Sequence, residues 1–170
     1  MLSEKMVNAL NEQVNKEMFS AYLYLSMSAH SETIGLQGFS NWFYVQYQEE
    51  TFHAMKIYRY LLEQGAQVEL ESIEKPQTTF DGPMDMFEAT LKHEQFITKS
   101  INDLVDLAIG EKDHATHIFL QWYVTEQVEE EANDNEIIGK LKLAGDEGNG
   151  LFMIDKELGA RVYVPETDEA

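Results

Sequence analysis

A spacing that occurs twice constrains this chain more than any other feature. Glu17 is followed 33 residues later by Glu50 and 36 residues later by His53, and Glu94 is followed 33 residues later by Gln127 and 36 later by Glu130. In each half a further Glu precedes the second member, Glu49 and Glu126. Acidic residues are abundant here, 31 of 170, so one matching Glu pair carries little weight. A repeated three-position constellation containing one His is harder to produce by chance. It describes two helical hairpins of equal size with metal-binding side chains at matched depth, which is what a dinuclear site inside a four-helix bundle requires.

The apolar periodicity supports such hairpins. Leu10, Val14, Glu17, Ala21, Tyr24 and Ser28 recur at alternating steps of four and three and share one face of a helix expected over about 3–34. Gly35 and Gly38 bracket a short turn. Phe39, Phe43, Gln46, Glu50, His53, Ile57 and Tyr60 share a face of a second helix, about 39–64. Periodicity then stops over about 65–82, a stretch holding Pro76 and closing on Asp81-Gly82-Pro83. A third helix over about 83–109 aligns Met84, Phe87, Leu91, Glu94, Thr98, Ile101, Val105 and Ala108. A fourth, about 113–143, aligns Thr116, Leu120, Tyr123, Gln127, Glu130, Asp134, Ile137 and Leu141. Gly145, Gly148 and Gly150 interrupt the pattern before a short fifth helix, about 150–158, and a tail over 159–170. Leu151, Phe152, Ile154 and Leu158 make that helix more apolar than an isolated tail warrants, so they are expected to form a patch that meets another subunit. The whole chain, 1–170, is expected to form one all-α domain.

The aperiodic stretch between the second and third helices is too long for a tight connection. About 17 extended residues reach about 56 Å, whereas a helix of about 27 residues is about 40 Å long. The segment can therefore cross the full length of the bundle, giving two antiparallel hairpins joined by one long crossover. Counted from the two short turns, Glu17, His53, Glu94 and Glu130 all lie at one level within about one helical turn.

A carboxylate facing an apolar interior is costly to ionise without a partner, by several kcal/mol. Glu17, Glu50, Glu94 and Glu130 converge, and no Lys or Arg lies on the stripes traced above. Multivalent cations resolve that conflict. Ligation rich in oxygen with one imidazole suits iron or manganese and tolerates zinc. Glu111 and His114 repeat the Glu-x-x-His pattern, but beside the Gly110 turn, where a surface role is expected. His93 neighbours Glu94 yet points about 100° away around the helix, so it falls outside the ligand set. Trp42, Phe43, Trp122 and Tyr123 read as core packing, and Tyr24, two turns beyond Glu17, reads equally as core or as a redox neighbour of the metals.

Composition removes other functions. A formal charge of −19 opposes binding to nucleic acid or to an anionic membrane and suits cations. With no cysteine, disulfides, thiolate catalysis and Cys-based zinc or iron–sulfur sites are excluded. The start Met1-Leu2-Ser3-Glu4-Lys5 lacks an apolar signal core and no run approaches a membrane span, so a cytoplasmic location is expected.

With these residues in view, the chain resembles the prokaryotic non-haem ferritins over nearly its whole length. Besides the ligand set, the resemblance is carried by Leu10-Asn11-Glu12-Gln13, Ser20-Ala21-Tyr22-Leu23-Tyr24, Lys92-His93-Glu94-Gln95, Phe119-Leu120-Gln121-Trp122-Tyr123-Val124, Glu126-Gln127-Val128-Glu129-Glu130-Glu131 and Ile154-Asp155-Lys156-Glu157-Leu158. It implies a ferritin-like bundle with a short fifth helix. It also implies a homo-oligomeric shell of twenty-four subunits that oxidises Fe(II) with dioxygen or peroxide and stores a ferric mineral. On that resemblance Glu17, Glu50 and His53 hold the first iron, and Glu50 bridges to a second held by Glu94 and Glu130 with Gln127 alongside. Glu49, Glu126 and Glu129, with Glu130, form a third iron site, Tyr24 is the redox-active tyrosine, and the fifth helix lines channels where four subunits meet. Haem-binding relatives resemble this fold but carry a second Glu-x-x-His on the fourth helix and a Met after the second-helix Glu. Here those places hold Gln127, Glu130 and Thr51, so no haem is expected.

Overall fold

A computed structural model describes residues 2–145 and 148–165, so the last five residues of the expected tail lie outside the described part. The helices are α1 (Glu4–Thr33), α2 (Gln37–Glu63), α3 (Pro83–Glu111), α4 (His114–Ala144) and α5 (Asn149–Leu158), and no strand occurs among the described residues. The ends follow local chemistry. The Ser3 side chain accepts from the Met6 amide at the start of α1, and Asp113 accepts from the Thr116 amide at the start of α4, each satisfying an orphan donor. Pro83 opens α3, where a missing N–H costs nothing. No described helix is long and apolar enough to cross a membrane.

α1 and α2 form one antiparallel hairpin and α3 and α4 the other, with α1 against α3 and α5 laid across α2 and α4. The segment from α2 to α3 runs the length of α1, as its anchors show. Near one end Asn11 Nδ2 donates to the Gln67 carbonyl at 3.2 Å and Asn11 Oδ1 accepts from the Glu69 amide at 3.0 Å. Farther along, Ser26 Oγ donates to the Gln77 carbonyl at 2.7 Å, and buried Phe80 packs edge-on to His30 with ring centroids 5.4 Å apart. Residues 11 and 30 are about 28 Å apart along a helix, so the crossover follows α1 over most of its 30 residues.

α2 begins at Gln37 instead of Phe39, which places Gly38 inside the helix. Only Gly35, with φ at 79°, makes the left-handed turn. Gly38 serves α5 instead. The Asp155 carboxylate Oδ1 accepts from the Gly38 amide at 2.8 Å and from the Phe39 amide at 3.1 Å, capping an α2 whose own N-cap residue, Leu36, makes no side-chain cap. The α5 backbone comes so close at that point that only glycine fits.

The fifth helix also corrects an expectation. The sequence pattern groups Leu151, Phe152, Ile154 and Leu158 as one patch facing another subunit. In the structure Ile154 and Leu158 are buried in this subunit's own core, Leu151 packs against it, and Phe152 and Met153 are the exposed ones. Alternate faces of one helical turn meet different surroundings.

The core is divided. At the α5 end Tyr24, Met27, Phe39, Trp42, Phe43, Phe87, Ile137 and Leu141 pack together; at the other end Met6, Leu10, Val14, Ile57, Leu61, Ile97, Ile101 and Leu120 do. Between these clusters lies a layer of buried polar side chains: Gln13, Glu17, Gln46, Glu50, His53, Glu94, Gln127, Glu130 and Asp134.

Candidate metal centre

Each bundle helix contributes to the layer: Glu17 from α1, Glu50 and His53 from α2, Glu94 from α3, Gln127 and Glu130 from α4. The four carboxylates and the imidazole are all at most 3% exposed. Helical periodicity puts Glu50 and His53 on one face, and there His53 Nδ1 lies 3.4 Å from Glu50 Oε2. Glu17, Glu50 and His53 can each turn a ligand atom within 4.8 Å of the others, and so can His53, Glu126 and Glu130. His53 thus belongs to both groups, and Glu126, half-buried, comes closer to the centre than the spacing alone conveys. Glu49 is half-buried beside this layer and Glu129 is exposed; neither joins those two groups among the described residues.

Glutamines orient the carboxylates. Gln13 Nε2 donates to Glu17 Oε1 at 2.8 Å, Gln46 Nε2 to Glu130 Oε2 at 2.9 Å, and Gln127 Nε2 to Glu94 Oε2 at 2.9 Å. The Tyr24 hydroxyl donates to the other Glu94 oxygen. Gln13 is itself held, its Oε1 accepting from Ser100 Oγ at 2.6 Å while that hydroxyl accepts from Lys16 Nζ at 2.8 Å. Tyr123 donates to the His53 carbonyl at 2.8 Å. A ligand whose free atom is held in this way does not have to be reoriented when a metal arrives.

Burial dominates the electrostatics. It raises Glu17 to about 7, with the Glu94 charge adding to the effect and the Gln13 hydrogen bond opposing it. Glu50, Glu94 and Glu130 are raised in the same way. For Glu50 the repelling charges are Glu94, Glu17 and Glu130, so it faces all three other carboxylates. Burial, then the Lys56 charge, lowers His53 to about 3, leaving a neutral imidazole ready to donate its lone pair. Asp134, one turn beyond Glu130, is raised to about 8 by burial and the Glu94 charge, and neither of its oxygens has a hydrogen-bond partner among the described residues.

The metal-free protein is therefore expected to lose stability as pH rises. The unfolded chain releases protons from Glu near 4.5 and Asp near 3.8, whereas the folded chain retains those of Glu17 to about 7 and of Asp134 to about 8. Stability from these groups is full below the unfolded values and declines until pH passes the folded ones. His53 and His93 act oppositely: their folded values, about 3 and about 4, lie below the ordinary 6.5, so they remove stability only as pH falls below 6.5. The clean window is 6.5 to 8. Melting curves across it should show a decline that is shallower in Glu17→Gln; equal slopes would contradict the shift. Metals, which require ionised carboxylates, should reverse the trend and release protons on binding.

Several residues escape a reading of the sequence. Gln13 lies four before Glu17, and Gln46 four before Glu50, but a glutamine one turn from a glutamate is an ordinary surface pattern. His93, outside the ligand set by its angle, is half-buried against α1, where Ser20 Oγ lies 2.8 Å from its Nε2 and its ring meets Tyr24 edge-on at 6.2 Å. Burial lowers it to about 4. Glu111 and His114 are exposed and fall on opposite sides of the α3–α4 turn, as expected of a surface pair. Arg161, beyond α5, reaches the layer's edge and donates from Nη2 to Glu49 Oε2 at 2.6 Å. Nothing periodic in the tail points to it.

Comparison with known proteins agrees with this arrangement. A family profile described as Ferritin-like domain matches residues 7–144. The bacterial non-heme ferritin of Campylobacter jejuni is 48% identical over 156 residues, 92% of this chain and 93% of that protein. That of Bacteroides fragilis is 44% identical over 161 residues, covering 95% of this chain and all (100%) of that one. Among solved structures, an open pore ferritin from the hyperthermophilic archaeon Archaeoglobus fulgidus superposes with a TM-score of 0.94 at 51% identity, over 95% of this chain and 100% of the other. A closed form of that ferritin, engineered by mutagenesis, gives 0.95 at 51% identity over 96% of this chain and 100% of the other. Sequence, fold and central layer agree: the chain belongs to the non-haem ferritins.

Proposed function

We propose that this protein is a cytoplasmic iron-storage ferritin that oxidises Fe(II) within each subunit and deposits the ferric product inside a shell, of twenty-four copies as the family resemblance implies. One observation carries the reading. Four buried carboxylates and a neutral imidazole, drawn from four helices, converge with no buried Lys or Arg among the described residues. Such a layer opposes folding when its carboxylates ionise and is relieved by multivalent cations.

Glu17, Glu50 and His53 hold one Fe(II), and Glu50, Glu94 and Glu130 hold the second. Gln127, turned toward Glu94, fixes that carboxylate rather than leaving it to rotate. Two Fe(II) ions give up one electron each, enough to reduce dioxygen to peroxide or peroxide to water. Tyr24, hydrogen-bonded to Glu94, stands where an electron and a proton could leave together. Glu49, Glu126 and Glu129, around Glu130, form a more solvated third station on the way out. Zinc or manganese would enter the same oxygen-rich layer.

Assembly is supported by apolar side chains that one subunit leaves open: Leu143 is 92% exposed, Val128 70% and Phe152 67%.

Adding Fe(II) in increments and following oxidation tests the reading. Storage predicts that oxidation continues far beyond two irons per subunit with iron retained in the assembly. A fixed di-metal oxidase would stop taking up iron at two, and a shell without oxidation chemistry would show no fast phase.

A further inference from the structure

Arg161 approaches the third station from the tail that follows α5. The tail is pinned to α2: Asn41 Nδ2 donates to the Arg161 carbonyl at 2.9 Å and to the Leu158 carbonyl at 3.3 Å. The guanidinium lies over Trp42, 4.8 Å from the ring centroid, and Nη2 reaches Glu49 Oε2 at 2.6 Å. Its Nη1 is buried with no partner among the described residues. Both members of the pair are about a quarter exposed, at 24% and 23%, so water and ions reach it. Arg161 is also the cation whose charge steadies Glu130 and Asp134 against the surrounding carboxylates.

A guanidinium and a metal ion compete for the same carboxylate oxygen, because a metal needs the lone pairs that the N–H groups occupy. We propose that Arg161 is a resident counter-cation of the third station: it occupies Glu49 when no metal is present, must release it when a multivalent cation arrives, and so keeps that station weak enough for iron to pass on. This rests on the reading of Glu49, Glu126, Glu129 and Glu130 as an iron station. The indole and Asn41 keep the guanidinium nearby after release, ready to reclaim Glu49 when the metal leaves. Because the anchor is the segment after α5, the placement of that helix sets the affinity of a site on α2 and α4.

Titration calorimetry of the assembled, metal-free protein with Zn(II), which has no redox chemistry, separates the possibilities. Arg161→Gln removes the charge and keeps a polar side chain. The third equivalent should bind about fivefold more tightly in this variant, with the first two unchanged. The difference between variant and wild type should shrink as salt screens the lost charge. Glu49→Gln should abolish the third equivalent. Loss of that equivalent in Glu49→Gln together with unchanged or weaker binding in Arg161→Gln would overturn the counter-cation role and leave the station standing. A third equivalent that survives Glu49→Gln, or is absent from wild type and Arg161→Gln alike, would remove the station itself and the proposal with it.

Discussion

Replacing Glu50 with Ala should reduce fast Fe(II) oxidation at least about a hundredfold while the shell still assembles. Loss of a group that only orients a ligand typically costs 10- to 100-fold, and Glu50 is argued to be a ligand of both metals. It faces Glu17, Glu94 and Glu130 and lies beside His53, so no other carboxylate in the layer can take its place between the two halves. The same crowding makes it a burden on the metal-free fold. Removing it relieves repulsion among buried carboxylates and leaves a small cavity in exchange, so the melting temperature of the metal-free protein should hold or rise. The isosteric Glu50→Gln should raise it more clearly. Stopped-flow oxidation at the wild-type rate in Glu50→Ala would end the bridging assignment.

Gly38→Ala should have the opposite signature, damaging structure without touching the ligands. A Cβ built at residue 38 falls 1.6 Å from the Asp155 carbonyl oxygen, and the atom it meets is backbone, which cannot swing aside. α5 must move away from α2. That uncovers Ile154 and Leu158, worth about 1.5–3 kcal/mol each when fully buried, and breaks the Asp155 cap on α2, worth about 1 kcal/mol. Allowing for relaxation, a loss of about 3 kcal/mol lowers the melting temperature by about 10 °C for a chain of this length. A shell that melts within about 2 °C of wild type would show that α5 is not docked as described.

The metal layer is legible in the sequence because two independent regularities agree on it. The helical period places Glu17, Glu50, His53, Glu94 and Glu130 on inward faces, and the equal hairpin lengths place them at one depth. Helix ends are readable where local chemistry sets them, as at Ser3, Pro83 and Asp113. Contacts made by one element for another are not. Gly38 reads as a turn signal because glycine usually is one, yet its lack of a side chain answers the close approach of α5, 117 residues away. The apolar residues of α5 read as one patch because a ten-residue helix shows too few turns to separate a face buried in its own subunit from one left open. Gln13 and Gln46 carry no signal beyond being polar, since what distinguishes them is the carboxylate each one holds. Arg161 lies where the sequence has no period at all, and only the folding of the tail onto Trp42 brings it to Glu49.

The central claim is that the buried carboxylate layer holds two metals sharing Glu50. Crystals of the protein soaked in Fe(II) without oxygen, or in Zn(II), and measured by anomalous diffraction test it most directly. The expected result is two peaks inside each subunit, one bounded by Glu17, Glu50 and His53 and the other by Glu50, Glu94 and Glu130, with any third, weaker peak beside Glu49. Metal found only on the outer surface, with the layer empty at saturating concentration, would contradict the account.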